Sequence, residues 1–327
     1  MTTTDEGKPP KGQEKGRGRR AWLPKEVPLK GWKDILIRTW QNLLRHNTGL
    51  IAAGIAFYAL LAIFPAIAAT MAIWGLVADP GTIVNQMEGF AGLLPPQAAN
   101  LLLEEARKAS AQEGQSFFTA LFAILFGIWS ASKGANAVID GLNVAYHEHE
   151  KRGFVRRLGL RVVFTFFGIL GVVGAAGLVI LLPIILEKMY LPVKVELWIG
   201  FGKWMLMGAS AMLAFALLYR FAPSRQFARW SWLSPGAILG VLVWVAGSAL
   251  FSLYVSKFAN YNEMYGTIGG VVVLLMWLYL TSFVVLLGAE LNAELERQTK
   301  RDTTKAPVEP MGERGAYVAD TVGRATG

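Results

Sequence analysis

The apolar positions of this chain fall into long runs separated by short polar segments. Six runs match or exceed the roughly 20 residues that cross a bilayer as helix; they lie at about 49–77, 117–139, 162–186, 197–219, 237–259 and 266–290. A helix that is apolar all round has no face for water, so these runs predict membrane spans. Ahead of the first, "GWKDILIRTWQNLLRHN" changes period. Trp32, Ile35, Leu36, Trp40, Leu43 and Leu44 recur at three- and four-residue steps, with Lys33, Asp34, Arg38 and Arg45 off that stripe. This predicts an amphipathic helix lying in the membrane interface. The expected fold is an all-α membrane protein, with the interfacial helix and six transmembrane helices over residues 31–297. Residues 1–30 and 298–327 are polar and low in large apolar residues, which predicts two disordered tails.

Glycine and proline refine the runs. Pro65 inside the first removes the bond to the carbonyl of Leu61 and predicts a kink. Gly168, Gly171, Gly174 and Gly177 give the third a smooth edge for close helix contact. The fifth opens on "SPG", with Ser234 placed to cap and Pro235 as first helical residue. The longest connection, 79–116, carries "DPG", "LLPPQ" and the amphipathic "QAANLLLEEARKASAQ". It reads as a packed connection or as a lid on the outer surface. "YNEMYGTIGG" joins the last two runs, with Glu263 its only acid. Gly266, Gly269 and Gly270 suit a tight helical hairpin there, a gate being the alternative.

Composition agrees: 54% of residues are hydrophobic and 17% charged, too apolar for an ordinary soluble domain. The formal net charge of +9 raises nucleic acid as a partner, but its distribution decides otherwise. With six spans both ends share one side, and that side holds 25 of the 32 Lys and Arg. The positive-inside rule then puts both termini in the cytoplasm. The N-terminal tail lacks the interleaved aromatics that stack on bases, so it predicts contact with anionic lipid headgroups and no nucleic acid. There is no cysteine, which excludes disulfides, thiolate metal sites and cysteine nucleophiles. His147 and His149 face apart on a helix, and no metal site is expected.

One run carries charge. In "WSASKGANAVIDGLN", Trp129, Lys133, Asn136, Asp140, Asn143 and His147 step by four and three and share one helical face. Lys133 lies seven residues before Asp140, about 10 Å along the axis and inside the bilayer. A polar face of this kind looks into the bundle or into water. It lines a pathway or anion site, or else Lys133 snorkels or pairs while Asn136 and Asn143 bond neighbouring helices. Glu290, at the end of the last run, either pairs with Lys133 or begins a solvated run with Glu294 and Arg297. Tyr58, Tyr279, Thr281 and Ser282 are the other polar groups inside runs. Serine and threonine commonly bond their own helix carbonyls. No phosphate loop, HExxH, GxSxG or nuclease-like cluster is present, so neither an enzyme nor a cofactor is expected.

Three blocks resemble a known family: "AAGIAFYALLAIFPAIAA", "GIWSASKGANAVIDGLNVAYHEHEKRGFVRR", and the stretch from "SPGAILG" through "YNEMYGTIGG" to "LLGAELNAEL". Together they look like the YihY / virulence factor BrkB family of bacterial inner-membrane proteins, across roughly residues 32–297. The resemblance implies an integral inner-membrane location. The family's old ribonuclease BN label is generally regarded as a misassignment, and transport, including of lipid-linked material, has been suspected. The leading reading is therefore a transporter or lipid flippase-like protein with a polar cavity lined by the second span. A membrane scaffold for envelope assembly is the alternative, and a ribonuclease comes last. Glycine-rich spans also suit a homo-oligomer.

Overall fold

A computed structural model of the chain describes residues 16–74, 95–111, 117–168, 170–171, 193–257, 267–305 and 307–326. The elements are α1 (Leu29–Arg45), α2 (Thr48–Trp74), α3 (Pro96–Ala111), α4 (Phe117–Ala145), α5 (residues 154–168), α6 (Val193–Phe221), α7 (Trp230–Lys257), α8 (Thr267–Glu296) and a single turn, α9 (Tyr317–Asp320). Among the described residues there is no strand; one isolated antiparallel bridge joins Ala228 to Thr304. Among the described residues, three helices are long and apolar enough to cross a membrane, over Thr48–Pro65, Trp230–Lys257 and Ile268–Glu296. They match the first, fifth and sixth runs. The second and fourth runs lie within α4 and α6, while residues 172–186 of the third lie outside the described residues. Helix α2 continues through Pro65.

The helices pack by small residues and aliphatic side chains. Helix α2 lies against α4 and α8, and α8 also contacts α7, α1 and α3. The main core joins Ala52 and Ile55 of α2, Ile139 and Leu142 of α4, Tyr219 of α6, and Leu286 and Ala289 of α8. Ala98 and Leu101 of α3 pack against Ala56, Leu274 and Leu278, so this part of the 79–116 connection is a packed element. Residues 75–94, 112–116 and 258–266, Glu263 and Gly266 included, lie outside the described residues. Outward faces carry Phe118, Leu121, Phe122 and Leu125 on α4 and Leu242, Leu250 and Leu253 on α7, which suits lipid rather than water.

The structure corrects several expectations. Helix α7 starts at Trp230 and holds Pro235 inside it, so Ser234 is not its cap. The Ser234 hydroxyl donates to the Trp230 carbonyl at 2.8 Å. Asn292 of α8 accepts from Gly236 N at 2.8 Å and donates to the Leu233 carbonyl at 3.0 Å. Tertiary bonds thus satisfy backbone that a proline disturbs. The apolar stripe of α1 splits: Ile35 and Leu43 face the protein, while Leu36, Trp40 and Leu44 face outward. Asp34 and Arg38, expected off the stripe, are buried. A Cβ at Gly168 or Gly171 would meet nothing within 4 Å, so these two glycines form no close contact among the described residues; Gly174 and Gly177 lie outside them.

The expected tails are another departure where they are described, residues 1–15 lying outside the described residues. Residues 16–30 and 298–326 fold against the end of α8 and against each other. Lys300 N donates to the Arg19 carbonyl at 2.9 Å, and Arg19 donates to the Gly323 carbonyl at 2.6 Å. Arg17 bonds Asp34 at 2.5 Å, and Thr326 Oγ1 donates to the same carboxylate at 2.8 Å. Arg314 reaches the carbonyls of Ala319 and Lys300. Order here comes from charge pairing and backbone capture, which a count of apolar residues does not register.

Candidate functional site

Polar side chains gather in two places. The first is the end of α8, "GAELNAELERQT", where Glu290, Asn292, Glu294, Glu296 and Gln298 are all at most 1% exposed. Each carboxylate has a partner on another element. Glu290 Oε1 lies 2.6 Å from His46 Nδ1, at the α1–α2 turn. Glu294 accepts from Arg38 and from Asn42 at 2.9 Å on α1, and from Arg297 at 2.6 Å. Glu296 accepts from Arg225 at 2.7 Å and from Thr303 at 2.8 Å. Charges removed from water need such partners, since an unpaired buried carboxylate is strongly disfavoured. Glu290 and Glu294 are therefore neither solvated nor joined to Lys133, as the sequence reading had offered.

Around this cluster the chain bends sharply. His147 follows α4 with φ 54°, a left-handed conformation uncommon for histidine. Its ring meets His46 at 4.7 Å and Tyr317 at 5.2 Å between centroids. Burial, with the nearby charges of Arg297 and His46, pushes the His147 imidazole down to about 4. Beside it, Glu150 is opposed by burial, yet hydrogen bonds from Arg152 and Asn143 hold its carboxyl down to about 2. Among the described residues, no three His, Asp or Glu side chains form a group that could hold a metal.

The second place is the polar face of α4. Lys133 is exposed, with its Nζ 5.8 Å from the centroid of the Trp129 ring. Asn136 donates to Asp140 at 2.7 Å along the same helix, and Asp140 accepts from Arg157 of α5 at 2.5 Å. Asn143 is buried, accepts from Ser224 N at 2.7 Å and donates to Glu150 at 3.3 Å. The stripe thus passes from exposed at Lys133 to locked at Asn143. Tyr58 of α2 is half-buried, with its Cβ facing Gly134 on α4. Thr281 and Ser282 donate to carbonyls four residues back, as expected, and Thr281 also accepts from Trp244 at 3.0 Å.

Of the sequence candidates, Lys133, Asn136 and Asp140 share a face, Asn143 anchors the α6–α7 loop, and Glu290 belongs to the separate α8 cluster. Sequence reasoning missed His46, Arg38, Asn42, Asn292, Arg225 and Arg157 as partners. One signal was available. Acids and amides at alternate positions in "AELNAELER" point to different sides of a helix, so they require polar partners all round.

Comparison with known proteins follows the same outline. The ribonuclease-like protein YfkH of Bacillus subtilis is 29% identical over 265 residues, which cover 78% of this chain and 92% of that protein. A UPF0761 membrane protein of Klebsiella pneumoniae is 38% identical over 96 residues, 29% of this chain and 33% of its own. Another, from Rhodospirillum centenum, is 26% identical over 293 residues, 85% of this chain and 61% of its own. The matched region thus spans less than two thirds of either UPF0761 relative. No solved structure matches the chain. The virulence factor BrkB family matches residues 39–312, nearly the whole folded part. With three helices among the described residues fit to cross a bilayer, the chain is a membrane protein that belongs to the virulence factor BrkB family.

Proposed function

We propose that this protein is a non-enzymatic transporter or lipid flippase-like protein of the bacterial inner membrane, with the polar face of α4 as its pathway. The carrying observation is that, among the described residues, no bond from Lys133, Asn136 or Asp140 ties α4 to α2 or α8. Asn136 and Asp140 bond along their own helix and to Arg157, and Lys133 stands exposed. Polar groups used throughout as glue between helices would be buried and cross-bonded, as Asn143 is; on this face, among the described residues, only Asp140 bonds another helix, α5, and its side chain stays half-exposed. A polar face that runs from half-buried at Asp140 and Asn136 to exposed at Lys133 on an apolar helix instead suits a water-lined cavity or a passing headgroup.

In this reading six spans cross the membrane with both termini cytoplasmic. The mutual bonding of residues 17–19 with residues 298–326 supports placing both ends on one side, and the Lys and Arg distribution supports which side it is. The exposed Leu29, Leu36, Trp40 and Leu44 of α1, alongside Lys30, Lys33 and Arg45, support its lying on an anionic lipid surface. Without a phosphate loop, movement is driven by an ion gradient, by a partner, or runs passively.

The native chain has no cysteine, so single cysteines report cleanly. Cysteines at 129, 133, 136 and 140, with controls at 131, 135 and 138, are labelled with a membrane-impermeant thiol reagent in cells and inverted vesicles. Labelling along the stripe and not at the controls is expected. A stripe that stays unlabelled above Asp140 removes the pathway.

A further inference from the structure

The polar face of α4 has a counterpart on α5. We infer that Lys133 of α4 with Arg157 and Arg161 of α5 form a site for a phosphate group, inside the half of the membrane nearest the two chain ends. This rests on the proposed pathway and names what it holds.

The register comes from one bond. Arg157, about one turn into α5, pairs with Asp140, near the end of α4. Leu160 and Phe164 pack against the same apolar core as Ala137 and Val138, which with that bond brings α5 back along α4. Moving from that bridge into the apolar run, α4 presents Asn136 and then Lys133. Over the same turns α5 presents Arg161 and then Thr165, at four-residue spacing from Arg157. Three cations thus share a single acid, Asp140. Among the described residues neither Lys133 nor Arg161 has an ion pair, and Lys133 meets only the Trp129 ring. The Nε atoms of Arg157 and Arg161 and the Thr165 hydroxyl are buried without a hydrogen-bond partner.

What sets Arg161 apart is the missing acid: single nitrogens of Arg225 and Arg297 are likewise buried without a hydrogen bond, but each of those arginines pairs with a carboxylate. Arg38 and Arg225 each meet a carboxylate at close range, and Arg314 caps carbonyls. Donors and positive charge left over on two facing helices ask for an acceptor that the protein does not supply. A phosphate fits that demand. It carries up to two charges and three free oxygens, against which a guanidinium makes paired bonds and an ammonium supplies a point charge. The group arrives on a lipid headgroup or as free phosphate.

The test uses the full-length protein in phosphatidylcholine nanodiscs, with fluorescent phosphatidic acid as probe and inorganic phosphate as competitor. The protein should hold phosphatidic acid in preference to labelled phosphatidylcholine. Arg161→Gln and Lys133→Met should each weaken that binding about tenfold, the usual scale for losing a charged hydrogen bond. Arg161→Lys should retain most of it, and Arg156→Gln, at an exposed position of the same helix, should leave it unchanged. Competition by millimolar inorganic phosphate assigns a free-phosphate source; its absence assigns the lipid. Lack of preference in the native protein, or equal loss in Arg156→Gln and Arg161→Gln, overturns the site. Should Arg161→Gln fail to fold, the exposed Lys133→Met carries the comparison. Arg161-dependent binding in a protein whose stripe cysteines stay unlabelled keeps the site and removes the pathway. Labelled cysteines with no anion preference remove the site alone.

Discussion

Replacing Arg225 with methionine leaves a buried carboxylate without its counter-charge. Arg225 sits in the α6–α7 loop, donates to Glu296 at 2.7 Å, and lies 4.8 Å from the centroid of the Tyr146 ring. The two side chains are 2% and 0% exposed. Burial works against the charged guanidinium, but Glu296 outweighs it and raises the proton affinity of Arg225 above the ordinary value. In Arg225→Met, Glu296 keeps only the Thr303 hydroxyl, and its Oε1 already lacks a partner. Breaking one side of a buried pair costs about 3–5 kcal/mol. At roughly 2 °C per kcal/mol for a chain of this size, the midpoint should fall by about 6–10 °C. The assay is thermal unfolding of the purified protein in detergent, followed by tryptophan fluorescence. The double variant Arg225→Met/Glu296→Leu removes both charges and should recover most of the loss, because two matched apolar groups leave no stranded ion. A single variant within about 1 kcal/mol of the native protein, or a double variant worse than the single, would refute the reasoning.

Other perturbations test other parts of the fold. A Cβ on Gly236 would overlap the Gly288 carbonyl and Asn292, so Gly236→Ala should cost about 3 kcal/mol or more. By contrast Gly54→Ala, whose Cβ meets nothing within 4 Å, should leave the midpoint unchanged or higher; equal loss in both would sink the close-approach argument. Acid should destabilise in two windows. As pH falls from 6.5 towards about 4 the unfolded chain takes a proton that the folded His147 resists, and from 4.5 towards about 2 the same holds for Glu150. His147→Asn tolerates φ 54° and should flatten the upper window, whereas a native midpoint that is flat between pH 7 and 4.5 would contradict it. Ending the chain after Arg297 removes Gln298, which accepts from Arg38 at 2.8 Å, and Thr303 beside Glu296. Lower thermal stability and faster proteolysis of α1 are expected, and an unchanged protein would mean that the C-terminal segment is a tail after all.

Much of the helical layout was legible. Within the first, fifth and sixth apolar runs lie helices fit to span, over Thr48–Pro65, Trp230–Lys257 and Ile268–Glu296, because length and unbroken apolarity bind a segment to lipid whatever its neighbours do. The polar face of α4 was also legible, since helical period alone puts Lys133, Asn136 and Asp140 together. Partners were not. Nothing in the spacing of "RHN" and "GAEL" says that His46 meets Glu290 across 244 residues. Nor does "SPG" reveal that its helix begins five residues earlier, because Asn292 on another helix supplies the bonds that proline disturbs. Residues 16–30 and the described part of 298–326 read as disordered because apolar content measures one driving force, and these residues are ordered by another.

By itself, then, the sequence determined three helices fit for a bilayer, where a charged residue interrupts an apolar helix, and the family to which the chain belongs. Those properties are local, set by the transfer of each side chain from water and by a fixed helical period. The tertiary structure alone decided which buried charge meets which. It sent Glu290 to His46, Glu294 to Arg38 and Glu296 to Arg225, and left Lys133 and Arg161 without an acid among the described residues. Pairing depends on distances of a few ångströms between residues far apart in the chain, which only the packed helices fix.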